Sequence, residues 1–539
     1  MKRFADPWAW ALCAIAVCTR LPFVPSTLYD FDAAAFAEAI QTFDPLRFHP
    51  HPPGYTFYVV ATKLIHALGV GPSFALCLAS VFASAATTCA IYGFGKALGG
   101  RGVGLIASGM FLASPLAWTY GAVQGTYEFG ALGATSVAYL AWRRLEGDAI
   151  RPAWLGLAAA VAAGFRPDTA VVLTPLLSIS CALAPSSSGW PRRLASVAEG
   201  ALAGLAGLAL WIVPAASASG SIGGYRASVL RQWEAVAFSN AQDHFSSLAF
   251  HGINVVKVGV YGGAALGPVG AIAFLLALRT VSRRTSLTPA TKVTLWGWLL
   301  GYAGLAVGVA FGQPGMLLTA LPAACLTIGL GFSDPHAESN VRRSVPIVAI
   351  VCSSLFFLAA PLLSPRGFFD AGASLPVKLS TELLLFTRPG IRLVDRELGA
   401  ALDRLRAAYP SNQTVVLTNV ASSTRAMWAL PHHRVACYFA FAGFGAPIPS
   451  HDVGEPSGTW SLPPGTRWLA LLDADRHSLA VTDQVGGRVS VGTATPDLDP
   501  RQPHPTLRVF DLQGAWAIRF RSGRIEAIGG SGLREATPS

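Results

Sequence analysis

Two carboxylates one residue apart, Asp30 and Asp32, stand in Tyr29-Asp30-Phe31-Asp32, directly after the first apolar stretch of the chain. Acids at the edge of hydrocarbon are costly unless they are paired or used. On an extended segment residues i and i+2 share a face, so the pair could supply a general base or hold a divalent metal ion. The competing reading is structural: one of the two caps the helix that Ala33 to Ile40 predicts. A turn follows, Phe48-His49-Pro50-His51-Pro52-Pro53-Gly54-Tyr55. Its two alternating histidines are too few for a metal site by themselves, and its prolines suit the first turn of a helix. Glu128 closes a loop after Trp118 to Tyr127, and Gly164-Phe165-Arg166-Pro167-Asp168 lies between two apolar runs. Arg166 there is suited to neutralise a phosphate; equally, it could pair with Asp168 while its stem lies along apolar surface.

These residues sit in a chain built for lipid. Of 539 residues, 52% are hydrophobic and only 13% charged, with a mean hydropathy of +0.46. Soluble domains carry about 25% charged residues, so a cytosolic enzyme, a disordered chain and a collagen-like fibre are all excluded. Apolar runs occur at 7–24, 72–95, 102–121, 129–142, 152–165, 169–185, 195–215, 252–278, 293–312, 314–332 and 344–363, which predicts about eleven transmembrane helices. With the N-terminus in the cytoplasm, Lys96 and Arg101, Arg143 and Arg144, Arg192 and Arg193, Arg283 and Arg284, and Arg342 and Arg343 all fall in cytoplasmic loops, as the positive-inside rule requires. That placement accounts for the net charge of +11 better than nucleic-acid binding, for which no recognition motif is present. Seven of the eight cysteines lie in apolar segments and imply no disulfide framework.

The topology leaves two long outer loops, 25–71 and 216–251. The stretch 55–70 is apolar but interrupted by Lys63 and His66, and reads as an amphipathic segment lying at the interface. The second loop, with Tyr225, Arg226, Arg231, Trp233, Glu234, Asp243 and His244, reads as a lid over a site or as a helix on the headgroups. From residue 364 charges become frequent. A helical pattern at 393–408 and short β-rich runs at 414–417, 435–439, 468–472, 489–491, 507–510 and 517–520 predict a soluble α/β domain; the Pro-rich strip 496–505 reads as a loop. The division is thus a transmembrane domain, 1–363, and an extracytoplasmic soluble domain, 364–539, in a multi-pass protein of the cytoplasmic (inner) membrane.

A carboxylate motif in the first outer loop, followed by a His-Pro-Pro turn before an interfacial helix, resembles the GT-C glycosyltransferases, polytopic enzymes that use polyprenyl-phosphate sugars. The likeness is to relatives of the protein O-mannosyltransferases and of the aminoarabinose transferases of lipid A. The matching positions are Asp32-Ala33-Ala34-Ala35-Phe36 and His51-Pro52-Pro53-Gly54-Tyr55-Thr56. Ala35 stands where the family has an acid, and Asp30 or Glu38 is the available substitute. The motif covers about thirty residues, and the hydropathy layout extends the likeness over 1–363. Gln313-Pro314-Gly315-Met316 stands where relatives carry an Arg-Tyr pair, so no role is carried over to it.

The resemblance implies an inverting membrane glycosyltransferase. Its partners would be a polyprenyl-phosphate sugar donor, a lipid, glycan or protein acceptor, and membrane lipids. Asp32 or Asp30 would be the base, and Arg166, Arg231, Lys63, His51 and His49 the donor and phosphate contacts, with Glu128, Asp168, Tyr55 and Glu38 as further site candidates. The resemblance fixes no cofactor, since relatives differ in their use of a divalent metal ion; such an ion, if used, would fall to Asp30 and Asp32. The rival readings are a transporter or flippase of a lipid-linked substrate, which would place ionisable groups near the bilayer midplane, and a catalytically inactive scaffold, which Ala35 keeps open. No Walker loop, G-x-S-x-G or H-E-x-x-H is present, so ATP hydrolysis, serine hydrolysis and zinc proteolysis lack support.

Overall fold

Prolines and capping side chains set where the helices of the first two thirds begin. The computed structural model describes residues 6–185, 189–239, 248–308, 313–333, 340–359, 387–418, 420–437, 452–453, 459–472, 480–485, 488–492, 507–513, 517–521, 524–528 and 532–535. Helix α1 (Pro7–Arg20) starts with the Asp6 carboxylate accepting from the Trp8 amide and Pro7 in the first turn. Helices α2 (Phe31–Gln41) and α3 (Thr56–His66) occupy the first long loop. They are followed by α4 (Pro72–Gly99), α5 (Arg101–Ala113), α6 (Pro115–Tyr120), α7 (Tyr127–Leu145), α8 (Pro152–Phe165), α9 (Asp168–Leu183), α10 (Trp190–Ala218), α11 (Ile222–Ser239), α12 (Leu248–Arg283), α13 (Pro289–Gly308), α14 (Leu321–Phe332) and α15 (Asn340–Ala359). Among the described residues, three helices, Pro72–Gly99, Trp190–Ala218 and His251–Arg283, are long and apolar enough to cross a membrane by length and composition. Leu202, Leu205 and Leu210 of α10 and Ile272 and Leu275 of α12 are exposed, the inside-out pattern of a surface that meets lipid.

Three of the predicted spans are broken, because a hydropathy average does not register Pro and Gly. The run 102–121 is two helices. Ser114 is extended ahead of Pro115, as a residue before proline prefers, and its hydroxyl caps Ala117 N at 3.3 Å. In α12, Gly267 (φ 71, ψ 161) interrupts the helix before Pro268, and the Leu266 carbonyl instead accepts from Ser353 Oγ of α15 at 2.6 Å. The run 314–332 opens as a 3-10 turn, Pro314–Thr319, before α14. Helices α8 and α10 meet backbone to backbone. A Cβ at Gly156 would lie 1.9 Å from the Gly200 carbonyl oxygen, and one at Gly207 would lie 2.7 Å from Ala160 Cβ.

The C-terminal region is an α/β unit. Helix α16 (Arg388–Ala408) starts five residues before the sequence pattern, where Thr387 caps Gly390 N at 3.4 Å. Strands β1 (Thr414–Thr418), β2 (Arg434–Cys437), β3 (Asp452–Val453), β5 (Trp468–Leu472), β8 (Leu507–Gln513) and β11 (Gly532–Glu535) form one sheet in the order β11-β8-β5-β1-β2-β3. An antiparallel sheet holds β4 (Thr459–Ser461), β6 (Ala480–Val485), β7 (Arg488–Gly492), β9 (Ala517–Arg521) and β10 (Arg524–Ile528), in the order β4-β9-β10-β7-β6. The pattern in the sequence missed β3, β4, β6, β10 and β11, which are short or carry charge. Strand β1 pairs in parallel with β2, Val416 opposite Val435. A parallel pair needs a crossover, and α17 (Val420–Ala429) supplies it. Leu398, Leu402 and Leu405 of α16 pack on Val416, Val435, Ala470 and Val509. The strip 496–505, Asp243 and His244 lie outside the described residues.

Candidate active site

Helix α2 separates the two acids. Asp30 is extended (φ −140, ψ −179) and caps the helix, its Oδ1 accepting from Ala33 N at 2.8 Å. Asp32 already lies in the first helical turn, so the extended geometry that would aim both carboxylates one way does not occur. Asp32 faces the turn that follows α2. Its Oδ1 is 3.5 Å from His51 Nδ1, and its side chain is 30% exposed. His51 Nε2 is 3.2 Å from the Tyr55 hydroxyl. Phe36, one helical turn beyond Asp32, underlies both rings at centroid distances of 5.9 and 5.4 Å. Ala35 is buried within α2, so no acid occupies that position of the motif.

The turn is held in shape from several sides. Phe48, Gly54 and Tyr55 have positive φ (64, 105 and 46), which for a bulky residue requires support from its surroundings. Tyr225 of α11 donates to the Pro53 carbonyl at 3.0 Å, and Thr56 Oγ1 donates to the Trp211 carbonyl of α10 at 2.9 Å.

A cationic wall stands opposite. Arg166 follows α8 and is buried. Its Nε is 3.0 Å from Asp168 Oδ1, its Nη1 donates to Thr126 Oγ1 at 2.9 Å, and its guanidinium lies 3.8 Å above the Tyr127 ring. Gly130 of α7 makes room for it, since a Cβ there would be 2.9 Å from Arg166 Cδ. The Tyr127 hydroxyl in turn donates to Gln313 Oε1.

The two walls share their tyrosines. Burial pushes the Tyr55 phenol well above its ordinary value, while nearby Arg166 opposes that shift and Asp32 and Asp168 add to it. Tyr127 likewise interacts with both Arg166 and Asp32. The cluster of Asp32, His51 and Tyr55 and the cluster of Arg166, Asp168 and Tyr127 are therefore electrostatic neighbours.

The remaining candidates stand apart from it. His49 Nδ1 is buried without a hydrogen-bond partner among the described residues. Lys63 lies near the end of α3, Glu38 is six residues beyond Asp32 on a different face of α2, and Arg231 sits on α11 beyond Tyr225. None of these three side chains makes a hydrogen bond or ion pair among the described residues. Glu128 is fully buried beside Ser84, with Arg20 as its opposite charge. Arg20 donates to the Leu112 carbonyl at 2.9 Å and lies 5.1 Å from the Trp118 ring centre. Thr126, Tyr127, Gly130 and Arg20 were not assigned a role from the sequence, and Gln313 was set aside there because it stands where relatives carry an Arg-Tyr pair. Thr126 and Tyr127 carried one signal, their adjacency to Glu128.

The donor set does not suit a divalent ion. Asp32 and His51 are two ligands, Asp30 is engaged as a cap, and among the described residues no three His, Cys, Asp or Glu side chains gather to hold a metal.

No protein-family model and no curated protein matches the chain. Among solved structures it is similar to ArnT from Cupriavidus metallidurans bound to undecaprenyl phosphate, with 13% identity, 93% of this chain and 100% of that chain covered, and a TM-score of 0.53. The fold is GT-C-like. ArnT in the apo state aligns at 14% identity over 86% of this chain and 93% of that one, also with a TM-score of 0.53. The oligosaccharyltransferase AglB from Archaeoglobus fulgidus, in complex with an inhibitory peptide and a dolichol-phosphate, aligns at 10% identity and a TM-score of 0.44 over 86% of this chain and 69% of that one. At these identities the likeness concerns the GT-C-like fold, and function has to be argued from the site.

Proposed function

We propose that this protein is a membrane glycosyltransferase that moves a sugar from a polyprenyl-phosphate donor to an acceptor hydroxyl, with inversion, at the outer face of the cytoplasmic membrane. The observations that carry this reading are an open carboxylate, Asp32, beside His51, and a buried guanidinium, Arg166, over Tyr127, both near enough to act electrostatically on Tyr55 and Tyr127. Asp32 takes the proton from the acceptor hydroxyl, whose oxygen attacks the anomeric carbon as the bond to the lipid phosphate breaks. His51, 3.5 Å from Asp32 and 3.2 Å from the Tyr55 hydroxyl, borders the base. The departing phosphate gains negative charge in that step, and Arg166 stabilises it more in the transition state than before it. ArnT, of similar fold, is bound to undecaprenyl phosphate, which supports a lipid-phosphate donor here.

The reading takes 1–363 as a membrane domain of about eleven spans with a cytoplasmic N-terminus, and 364–539 as a domain outside the cytoplasm. Charge placement supports it. Helix α7 starts at the site with Tyr127 and carries Arg143 and Arg144 in its last turn, about 25 Å away at 1.5 Å per residue. The test is to incubate the purified protein in lipid nanodiscs or vesicles with radiolabelled polyprenyl-phosphate sugars and membrane extract. Label passing to an acceptor with release of free polyprenyl phosphate is the expected result. Label crossing vesicle membranes unchanged, with no transfer, overturns the reading in favour of a flippase.

A further inference from the structure

The segment 24–30, which delivers Asp30 and Asp32 to the site, has no helix or strand of its own. Backbone polar groups without regular structure must find partners elsewhere, and here they find side chains remote in sequence. Gln124, from the loop before α7, accepts from Tyr29 N at 3.1 Å and donates to the Thr27 carbonyl at 3.1 Å. The other partners come from the C-terminal region. Asp395 of α16 accepts from Ser26 N and Ser26 Oγ, both at 2.9 Å, and from Thr27 N and Thr27 Oγ1, both at 2.7 Å. Arg425 of α17 donates from Nη1 to the Tyr29 carbonyl at 3.0 Å, and Thr424 Oγ1 donates to the Phe31 carbonyl at 3.4 Å. Those two carbonyls flank Asp30, and that of Phe31 immediately precedes Asp32. Trp428 packs against the apolar cluster that includes Leu28, Ala33 and Phe36.

Arg425 is 2% exposed. A guanidinium this deep is costly to bury, and its hydrogen bond to a carbonyl is of the stronger, charge-assisted kind. Its place follows from the fold: α17 is the crossover between the parallel strands β1 and β2, so the sheet backs the helix while its other face meets α2. The clamp is therefore as rigid as the sheet behind it.

We infer that the C-terminal region is a working part of the site. Asp395 and α17 hold the 26–32 segment in the conformation that turns Asp32 toward His51 and Tyr55, and Arg425 is the positioning residue. This rests on the reading of Asp32 as the base. A misplacement of about 1 Å costs on the order of 100-fold in rate, which is the scale on which a loosened clamp acts.

The experiment compares full-length wild type, Arg425→Ala, Arg425→Lys and Asp395→Asn in nanodiscs. It measures hydrogen–deuterium exchange over 26–32 together with transfer kinetics for a polyprenyl-phosphate sugar. For Arg425→Ala, exchange over 26–32 rises about tenfold or more while α4 and α7 are unchanged. Its kcat falls about 100-fold at an unchanged KM for the donor, and Arg425→Lys, which keeps a charged donor, recovers part of both. Asp395→Asn, whose amide replaces one acceptor by a donor, gives an intermediate result. Unchanged exchange over 26–32 in Arg425→Ala overturns the inference. So does faster exchange with full kcat, and so does exchange rising evenly over the whole C-terminal region with no rescue by Lys, which marks Arg425 as merely structural. If Asp32→Asn retains full transfer, the assignment of the base fails instead; the exchange measurement separates the two failures because it needs no substrate.

Discussion

Asp32→Asn tests the assignment of the base against the structural role of its neighbour. The substitution keeps the size of the side chain and removes the charge. Asp32 is 30% exposed and lies 3.5 Å from His51 Nδ1, too far for a strong hydrogen bond, so little folding energy depends on it. The loss of an acid from the first turn of α2 costs about 0.3–1 kcal/mol, and the melting temperature should fall by no more than about 4 °C. Loss of a positioned general base costs about 100- to 10,000-fold in rate, equivalent to about 2.7–5.4 kcal/mol in the barrier. Catalytic loss therefore exceeds stability loss severalfold. Asp30→Asn is the counterpart. Asn caps a helix as well as Asp does, so this variant keeps both its fold and transfer near wild type, whereas Asp30→Ala loses the bond to Ala33 N and about 0.5–2 kcal/mol. The assay is initial-rate transfer of label from polyprenyl-phosphate sugars in nanodiscs, with thermal unfolding of the same samples. Full transfer by Asp32→Asn, or equal inactivity of Asp30→Asn, would refute the assignment.

Arg166→Met leaves Asp168, which is 20% exposed, beside a lost partner and should cost up to about 3–5 kcal/mol. Arg166→Met with Asp168→Leu should regain most of that stability in thermal unfolding while transfer stays lost. Gly130→Ala places a methyl group 2.9 Å from Arg166 Cδ, so donor transfer should fall markedly with little change in melting temperature; unchanged transfer would show that the guanidinium shifts at no cost. His433 is buried with Nε2 3.2 Å from the Tyr409 carbonyl, and burial lowers its pKa from 6.5. The unfolded chain then takes up the proton first, so the C-terminal region loses stability as pH falls below about 6.5. Deuterium exchange of β1 and β2 at pH 7.5 and pH 5.5 checks this, and His433→Gln should flatten the difference.

Hydropathy and charge asymmetry made the membrane helices legible, because burial in lipid acts on whole runs of side chains. The breaks at Ser114, Gly267 and Pro314 were not legible in the same way, since they depend on single backbone positions. The separation of Asp30 from Asp32 turned on where α2 begins, and a cap residue looks the same in sequence whether the helix starts at it or two residues later. Tyr127, Gln313 and Arg425 gather only through the tertiary fold, from positions 186 residues apart for Tyr127 and Gln313 and 396 apart for Arg425 and Tyr29. No local pattern encodes such pairings. The strands of the C-terminal region were recognised where β-branched or other apolar residues run together, as in β1 and β5, and missed where charges break the run, as in β10 and β11.

The glycine-lined contact of α8 with α10 has a second consequence. Hydrogen is the largest group that fits between Gly156 and the Gly200 carbonyl, so any side chain at Gly156 would force the two helices apart. The same glycines, Gly156, Gly200 and Gly204, also line an apolar cavity of about 370 Å³ between α8, α9 and α10; close backbone contact and the open space beside it both follow from side chains that are missing there.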